Sequence, residues 1–289
     1  MKRLLTCLLI AGMLAALLTG CSTGEQTPVV PGGDQTQQTN PPKTELAQTL
    51  VYDSNGIKIT ATELKMNGFM GPEIKFLVEN NTDKNIAFTA DLLVVDGVTV
   101  TGYMYVDVAA GKKANDVLTV YETALESAGI DTIGRIVNFD GRIVDTDSFE
   151  TLYDAPFTLE TSAAGTVTPG THDSGELLFQ DQGISVYTQV IADQLFGKSV
   201  RLLVKNETQA DVIVQAENIS VNGFTVDAWM YDTVYANTVR YCELDLLSSS
   251  LADNGIETIE AVTFTLEILN ANTYDIITQS QELTVTAAQ

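Results

Sequence analysis

The sequence has one histidine, one tryptophan and three cysteines in 289 residues, and only 15 basic residues against 38 acidic ones, for a net charge of −23. Each scarcity removes a class of function. The one histidine, His172, sits in a Gly/Pro-rich break, where no fold positions it as the base of a Ser-His-Asp or Cys-His mechanism. It reads as a solvated loop residue. A histidine-based zinc site fails too, because three or four gathered ligands are required. An acidic surface repels phosphate backbones and anionic headgroups, which excludes nucleic acid as a partner. The acidity itself serves solubility. Two cysteines, Cys7 and Cys21, lie in the N-terminal segment, so no disulfide closes within the chain if Cys21 carries lipid. Domains above about 100 residues manage on a core alone. Cys242 alternates with Leu244 and Leu246, which reads as a buried, inert thiol. Neither a P-loop nor a dinucleotide fingerprint occurs, so no cofactor is expected.

What is present begins at the N-terminus. Lys2 and Arg3 precede an uncharged apolar stretch over residues 4–18. That length falls short of the ~20 residues of a membrane span and suits a signal peptide. The stretch ends in Leu18-Thr19-Gly20-Cys21. This ending resembles the lipobox of bacterial lipoproteins: an apolar residue, two small residues, then an obligatory Cys. The resemblance implies cleavage before Cys21 and a diacylglyceryl group on its sulfur. It places the protein on the cell membrane, lipid-anchored, at the extracellular face. Two or more acyl chains hold a protein stably where one is marginal. No later segment is apolar enough to span a bilayer.

Residues 22–48 are rich in Gly, Pro, Thr and Gln and lack periodicity, the composition of a disordered tether. Its reach is on the order of 30 Å. A second break, residues 162–175, contains Gly165, Pro169, Gly170 and Gly175. The expected organisation is therefore a signal peptide (1–20), lipidated Cys21 with its linker (21–48), a domain (49–161), a linker (162–175) and a second domain (176–287).

The two domains are copies. Shifted by 126 positions, Ile74-Lys75-Phe76-Leu77-Val78-Glu79-Asn80 aligns with Val200-Arg201-Leu202-Leu203-Val204-Lys205-Asn206, and Tyr103-Met104-Tyr105 with Trp229-Met230-Tyr231. From residue 74 to 105, 11 of the 32 positions are identical. A period above 100 residues means duplicated domains rather than a solenoid. Each copy reads as strands punctuated by turns. Asn55-Gly56 and Asp96-Gly97 are hairpin signals, a helical turn over residues 123–128 stops at Gly129, and residues 133–144 read as one strand. Seven or eight short strands in about 110 residues is the pattern of an immunoglobulin-like sandwich. The fold class expected is all-β: two tandem immunoglobulin-like β-sandwich domains, preceded by a signal peptide and disordered linker.

The run Gly-Pro-Glu-Ile-Lys-Phe-Leu-Val-Glu-Asn-Asn-Thr-Asp-Lys-Asn-Ile, followed by Val-Asp-Gly and Ala-Ala-Gly-Lys-Lys-Ala-Asn-Asp, resembles domains of uncharacterised lipoproteins and membrane-anchored proteins of Gram-positive gut bacteria. Those domains are similar to extracellular immunoglobulin-like domains of unknown function. The resemblance spans residues 50–286 and implies location only. The second copy departs from it, with Ala236-Asn237-Thr238 where the first has Ala110-Gly111-Lys112.

Candidate sites are few. Asp145, Asp147 and Glu150 place oxygens at near-alternating positions, a weak calcium candidate, but the loop lacks the glycine and spacing of an EF-hand. It reads first as a solvated turn, and no metal is expected. Asn80-Asn81-Thr82 and Asn206-Glu207-Thr208 match glycosylation sequons but serve more simply as turns that cap their own backbone. After the Asp96-Gly97 turn, alternation puts Val98, Val100, Gly102, Met104 and Val106 on a core face, with Phe224, Val226, Ala228 and Met230 as counterparts. The other face carries Thr99, Thr101, Tyr103 and Tyr105, matched by Thr225, Asp227, Trp229 and Tyr231. Tyr and Trp concentrate binding energy, so Tyr103, Tyr105, Trp229 and Tyr231 mark candidate ligand-binding patches, one per domain. The competing reading packs them under neighbouring loops. The function expected is a non-catalytic binding module for a protein, peptide or glycan ligand. A spacer without a ligand is the alternative, and an extracellular hydrolase a weaker one.

Overall fold

Period-two alternation decides the local structure. In Glu73–Asn80, Ile74, Phe76, Val78 and Asn80 are buried while Lys75 faces out, the pattern of a strand with one face on a core. Two-residue turns separate several such runs. Asn55-Gly56, Asp96-Gly97, Gln182-Gly183 and Asn222-Gly223 all have both residues at positive φ. That geometry matches the twist of the strands it joins. The computed structural model describes residues 44–167, 172, 175–194 and 197–287. The signal segment, Cys21, the linker up to residue 43 and part of the 162–175 break lie outside the described residues.

In chain order the first half holds β1 (Thr49–Ser54), β2 (Ile57–Lys65), β3 (Glu73–Asn80), β4 (Ile86–Val95), β5 (Val98–Val108), β6 (Lys113–Val120), α1 (Glu122–Ala128), β7 (Arg135–Asn138), β8 (Arg142–Asp145), β9 (Thr151–Asp154) and β10 (Phe157–Glu160). The second half holds β11 (Leu177–Asp181), β12 (Ile184–Gln194), β13 (Gly197–Asn206), β14 (Val212–Val221), β15 (Phe224–Thr225), β16 (Ala228–Trp229), β17 (Tyr231–Val234), β18 (Thr238–Leu247), α2 (Ser248–Asp253), β19 (Ala261–Asn270), β20 (Ile276–Gln279) and β21 (Leu283–Thr286).

Two cores result, each between packed β-layers. The first gathers Ile59, Phe76 and Leu118 from β2, β3 and β6 against Phe88, Met104 and Ile136 from β4, β5 and β7. Phe76, Phe88 and Phe157 meet there, with ring centroids 5.5, 5.9 and 6.3 Å apart. Offset and edge contacts of this kind add to the area they bury. The second core packs Val186, Leu202 and Leu244 from β12, β13 and β18 against Val214, Phe264 and Leu266 from β14 and β19. In the first half, β5 pairs with β4 along its length and touches β6 only through Gly102↔Val120 and Tyr103↔Thr119. The same crossing occurs 126 residues later, as Ala228↔Leu246 and Trp229↔Asp245. A parallel pairing of Val239 with Val98 then joins the halves. One sheet path therefore runs β1-β2-β3-β6-β5-β18-β13-β12-β11.

The structure corrects several sequence expectations. Thr99, assigned by alternation to a partly covered face, is buried. The second half covers it: its hydroxyl lies 2.8 Å from that of Thr238. Phe224, assigned to the core face, is 51% exposed; it follows directly on the Asn222-Gly223 turn, in a strand of only two residues. The single strand expected over residues 133–144 is broken at Gly141, where a Cβ would stand 2.3 Å from the Ala155 carbonyl. The region after it forms β9, which alternation did not indicate. His172 is not a solvated loop residue. It is half-buried against Tyr241, with ring centroids 5.9 Å apart.

Candidate functional site

A groove of about 680 Å³ lies where the two halves meet. Its floor follows from the alternation of β18. Cys242, Leu244 and Leu246 point into the second core, so Tyr241, Glu243 and Asp245 point the other way, into the groove. Trp229 and Tyr231 line it from the second half, and Tyr121, which caps α1, and Glu126 within α1 line it from the first. Trp229 pairs directly with Asp245 in the β16–β18 register. Residues directly opposite in an antiparallel pair share a face, with Cβ atoms about 5 Å apart. The indole and this carboxylate therefore stand side by side.

The charges in the groove are unevenly matched. Arg201 Nε donates to Glu243 at 2.7 Å, and the buried Ser199 hydroxyl donates to the same carboxylate. Arg240 pairs with Asp232 at 2.7 Å, donates to the Thr233 carbonyl at 2.8 Å and reaches the Thr101 hydroxyl of the first half at 3.4 Å. Asp245 has no hydrogen-bond or ion-pair partner among the described residues. Burial pushes its carboxyl above the usual range, and the nearby Glu243 and Asp232 charges push it further. Burial also raises Asp232, and Arg240 partly offsets this. A buried carboxylate prefers its neutral form unless a cation is present to hold the charge.

The four aromatic residues singled out in sequence are all substantially exposed: Tyr103 54%, Tyr105 40%, Trp229 52% and Tyr231 56%. Only Trp229 and Tyr231 line the groove. Tyr103 and Tyr105 are exposed farther along the β5 face that carries Thr99 and Thr101, and neither lines the groove. The Asp145-to-Glu150 turn is occupied by its own interactions. Lys84 Nζ donates to Asp145 at 2.9 Å, and the N–H groups of Asp147 and Ser148 also donate to its side chain. The Lys84 bond, more than those two, holds the Asp145 carboxyl below its ordinary value. Among the described residues no three His, Cys, Asp or Glu side chains are gathered as a metal would need. Cys242 is fully buried, and burial pushes its thiol well above the usual range. Cys21 lies outside the described residues.

His172 Nδ1 lies 3.1 Å from the Tyr241 hydroxyl, and burial lowers the imidazole pKa. The buried Asn80 carboxamide reaches the carbonyls of Lys84, Val108 and Ala109 and accepts from the N–H and hydroxyl of Thr82. Asn206 makes the same set with Ala210, Val234, Tyr235 and Thr208. Both sequon asparagines are thus used up inside turns.

Sequence reasoning missed Arg201, Asp232, Arg240, Glu243 and Asp245. The outward set Tyr241, Glu243, Asp245 was legible as alternation, but what faces it depends on how the halves meet.

No protein-family model and no curated protein matches the chain. Among solved structures, Bacteroides uniformis β-glucuronidase 2, covalently bound to cyclophellitol-6-carboxylate aziridine, aligns with 74% of this chain at 12% identity and a TM-score of 0.24. The match covers 26% of that chain's length. A likeness this slight bears on neither fold nor chemistry.

Proposed function

We propose that the protein is a lipoprotein anchored through Cys21 at the extracellular face of the cell membrane, and that it binds a ligand without transforming it. The folded part is read as two tandem immunoglobulin-like sandwiches, residues 49–161 and 176–287, held off the membrane by the linker over 21–48. The ligand sits in the groove between the halves. The observation that carries this reading is the pair Trp229 and Tyr231, half-exposed on one wall of a ligand-sized concavity. Exposed rings flanked by polar groups in a concave site are what a binding site requires. Of the groove's carboxylates, Glu243 and Asp232 are engaged by arginines, which suits a rigid binding floor better than proton transfer.

Trp229 is the one tryptophan, so tryptophan emission, excited selectively over the tyrosines, reports on this wall alone. A panel of glycan fragments, neutral peptides and amines is titrated against the intact chain. At least one class is expected to shift the emission saturably, with binding lost in Tyr231→Ala. An unresponsive spectrum across the panel favours the spacer reading. Labelling with a palmitate analogue tests the anchor: label is expected in the wild type and absent in Cys21→Ala.

A further inference from the structure

We propose that the groove selects an ammonium-bearing ligand, with the cation seated between the Asp245 carboxylate and the rings of Trp229 and Tyr231. This deepens the binding reading above and rests on it. Three observations converge. First, the groove is lined by five carboxylates, Glu126, Asp193, Asp232, Glu243 and Asp245, against two guanidinium groups. Both guanidiniums are committed to Glu243 and Asp232, and Asp193 is paired to Lys198. Second, Asp245 is left half-buried with no partner among the described residues, beside two like charges. A cation arriving there relieves that repulsion and forms a charge-assisted hydrogen bond, among the stronger kinds available to a protein. Third, Trp229 stands directly across the strand pair from Asp245, and Tyr231 adjoins it on the same wall. Indole and phenol faces attract a cation, the indole most strongly. An anionic ligand meets five carboxylates and two guanidiniums already paired with two of them, and a neutral one gains nothing from the Asp245 charge.

The arrangement is particular to the second half. The first-half counterparts of Trp229, Glu243 and Asp245, 126 residues earlier, are Tyr103, Val117 and Thr119. The equivalent face there has the aromatic residue and lacks both acids. The chain's net charge of −23 adds long-range attraction for cations.

The test is a fluorescence titration of the intact chain with putrescine and, separately, with the blocked tripeptide Ala-Lys-Ala. The uncharged controls are 1,4-butanediol and Ala-norleucine-Ala. One or both amines are expected to shift Trp229 emission saturably. Which of them does so separates free amines from lysine side chains as the source. Binding should weaken as sodium chloride screens the charges, and the controls should leave the spectrum unchanged. Asp245→Asn should weaken the amine by about tenfold or more. Asp245→Glu should keep most of the affinity, and Tyr103→Ala, outside the groove, all of it. Equal response to amine and control overturns the proposal, as does Asp245→Asn binding like the wild type while melting normally. If a neutral glycan or peptide shifts Trp229 and the amines do not, the groove remains a binding site and the cation assignment fails. If nothing in the panel shifts it, both fail.

Discussion

Single side chains hold the turns of this protein. Asn80 and Asn206 are fully buried, yet each satisfies its carboxamide against backbone carbonyls of two separate segments. A side chain that ties a strand end to a distant loop by several bonds costs more to remove than a surface contact, because its carbonyl partners are left buried and unpaired. Asn206→Ala is expected to lower the unfolding free energy by about 2 kcal/mol or more, measured as a shifted urea midpoint. Thr208→Ala, which removes the hydroxyl's bonds to Asn206 and Ala210 and leaves the Asn206 amide's own bonds to the carbonyls in place, should cost less. The Lys84–Asp145 pair gives a pH signature. A carboxyl held below its ordinary value adds stability above that value, and the stability is lost as pH falls through the lowered one. Acid titration of Lys84→Met should therefore show a shallower loss of stability below about pH 4 than the wild type.

At the level of the element, the telling feature is the strand that changes layers. In β5 the switch occurs within one continuous strand. In the second half the equivalent segment is cut into β15, β16 and β17, and the interruption leaves Trp229 and Tyr231 on the groove wall. Both halves hold the switch in place with a glycine. Gly71 has φ +135°, and a Cβ there would stand 2.2 Å from the Val120 carbonyl and 2.6 Å from the Glu122 amide. Gly197 presents the same problem, 2.0 Å from the Leu246 carbonyl. No side-chain rotation relieves a clash with backbone. Gly71→Ala is expected to destabilise the first half by roughly 2 kcal/mol. A thermal melt checks it, and Gly111→Ala, with φ +67° but open space around it, should cost less.

For the whole molecule, the question is how the halves hold each other. Thr238 donates its one hydroxyl proton to the Tyr235 carbonyl at 2.8 Å, so the Thr99 hydroxyl is the donor across the junction. Val239 donates its amide to the Gly97 carbonyl at 3.2 Å. Phe139 packs edge-on against Tyr235 at 4.9 Å. These contacts are few beside the two cores, so residues 49–161 and 176–287 are each expected to melt cooperatively on their own. The junction should still register. The isolated second half is expected to melt a few degrees below its transition in the intact chain, the scale of ~1 kcal/mol in a domain of this size. Calorimetry on the three proteins, with Phe139→Ala in the intact chain, checks this. Identical transitions throughout would mean that the junction contributes nothing.

Alternation and turn chemistry are local, and the sequence by itself determined what depends on them. The β-rich character, the turns at Asn55-Gly56 and Asp96-Gly97, the helix stop at Gly129 and the inward placing of Cys242 were all legible, because each needs only neighbouring residues and a period of two. The exposed faces of β5 and β16 were legible for the same reason, down to Tyr103, Tyr105 and Trp229. Alternation says which side of a strand a residue takes and not what lies opposite. Thr99 looked half-covered until Thr238 closed over it, and His172 looked solvated until Tyr241 packed beside it. Tertiary structure alone placed Asp245 beside Trp229 and brought α1 to the same groove. Those residues come from different strands and both halves, and only the β16–β18 register and the junction at Val98 and Val239 bring them to one place.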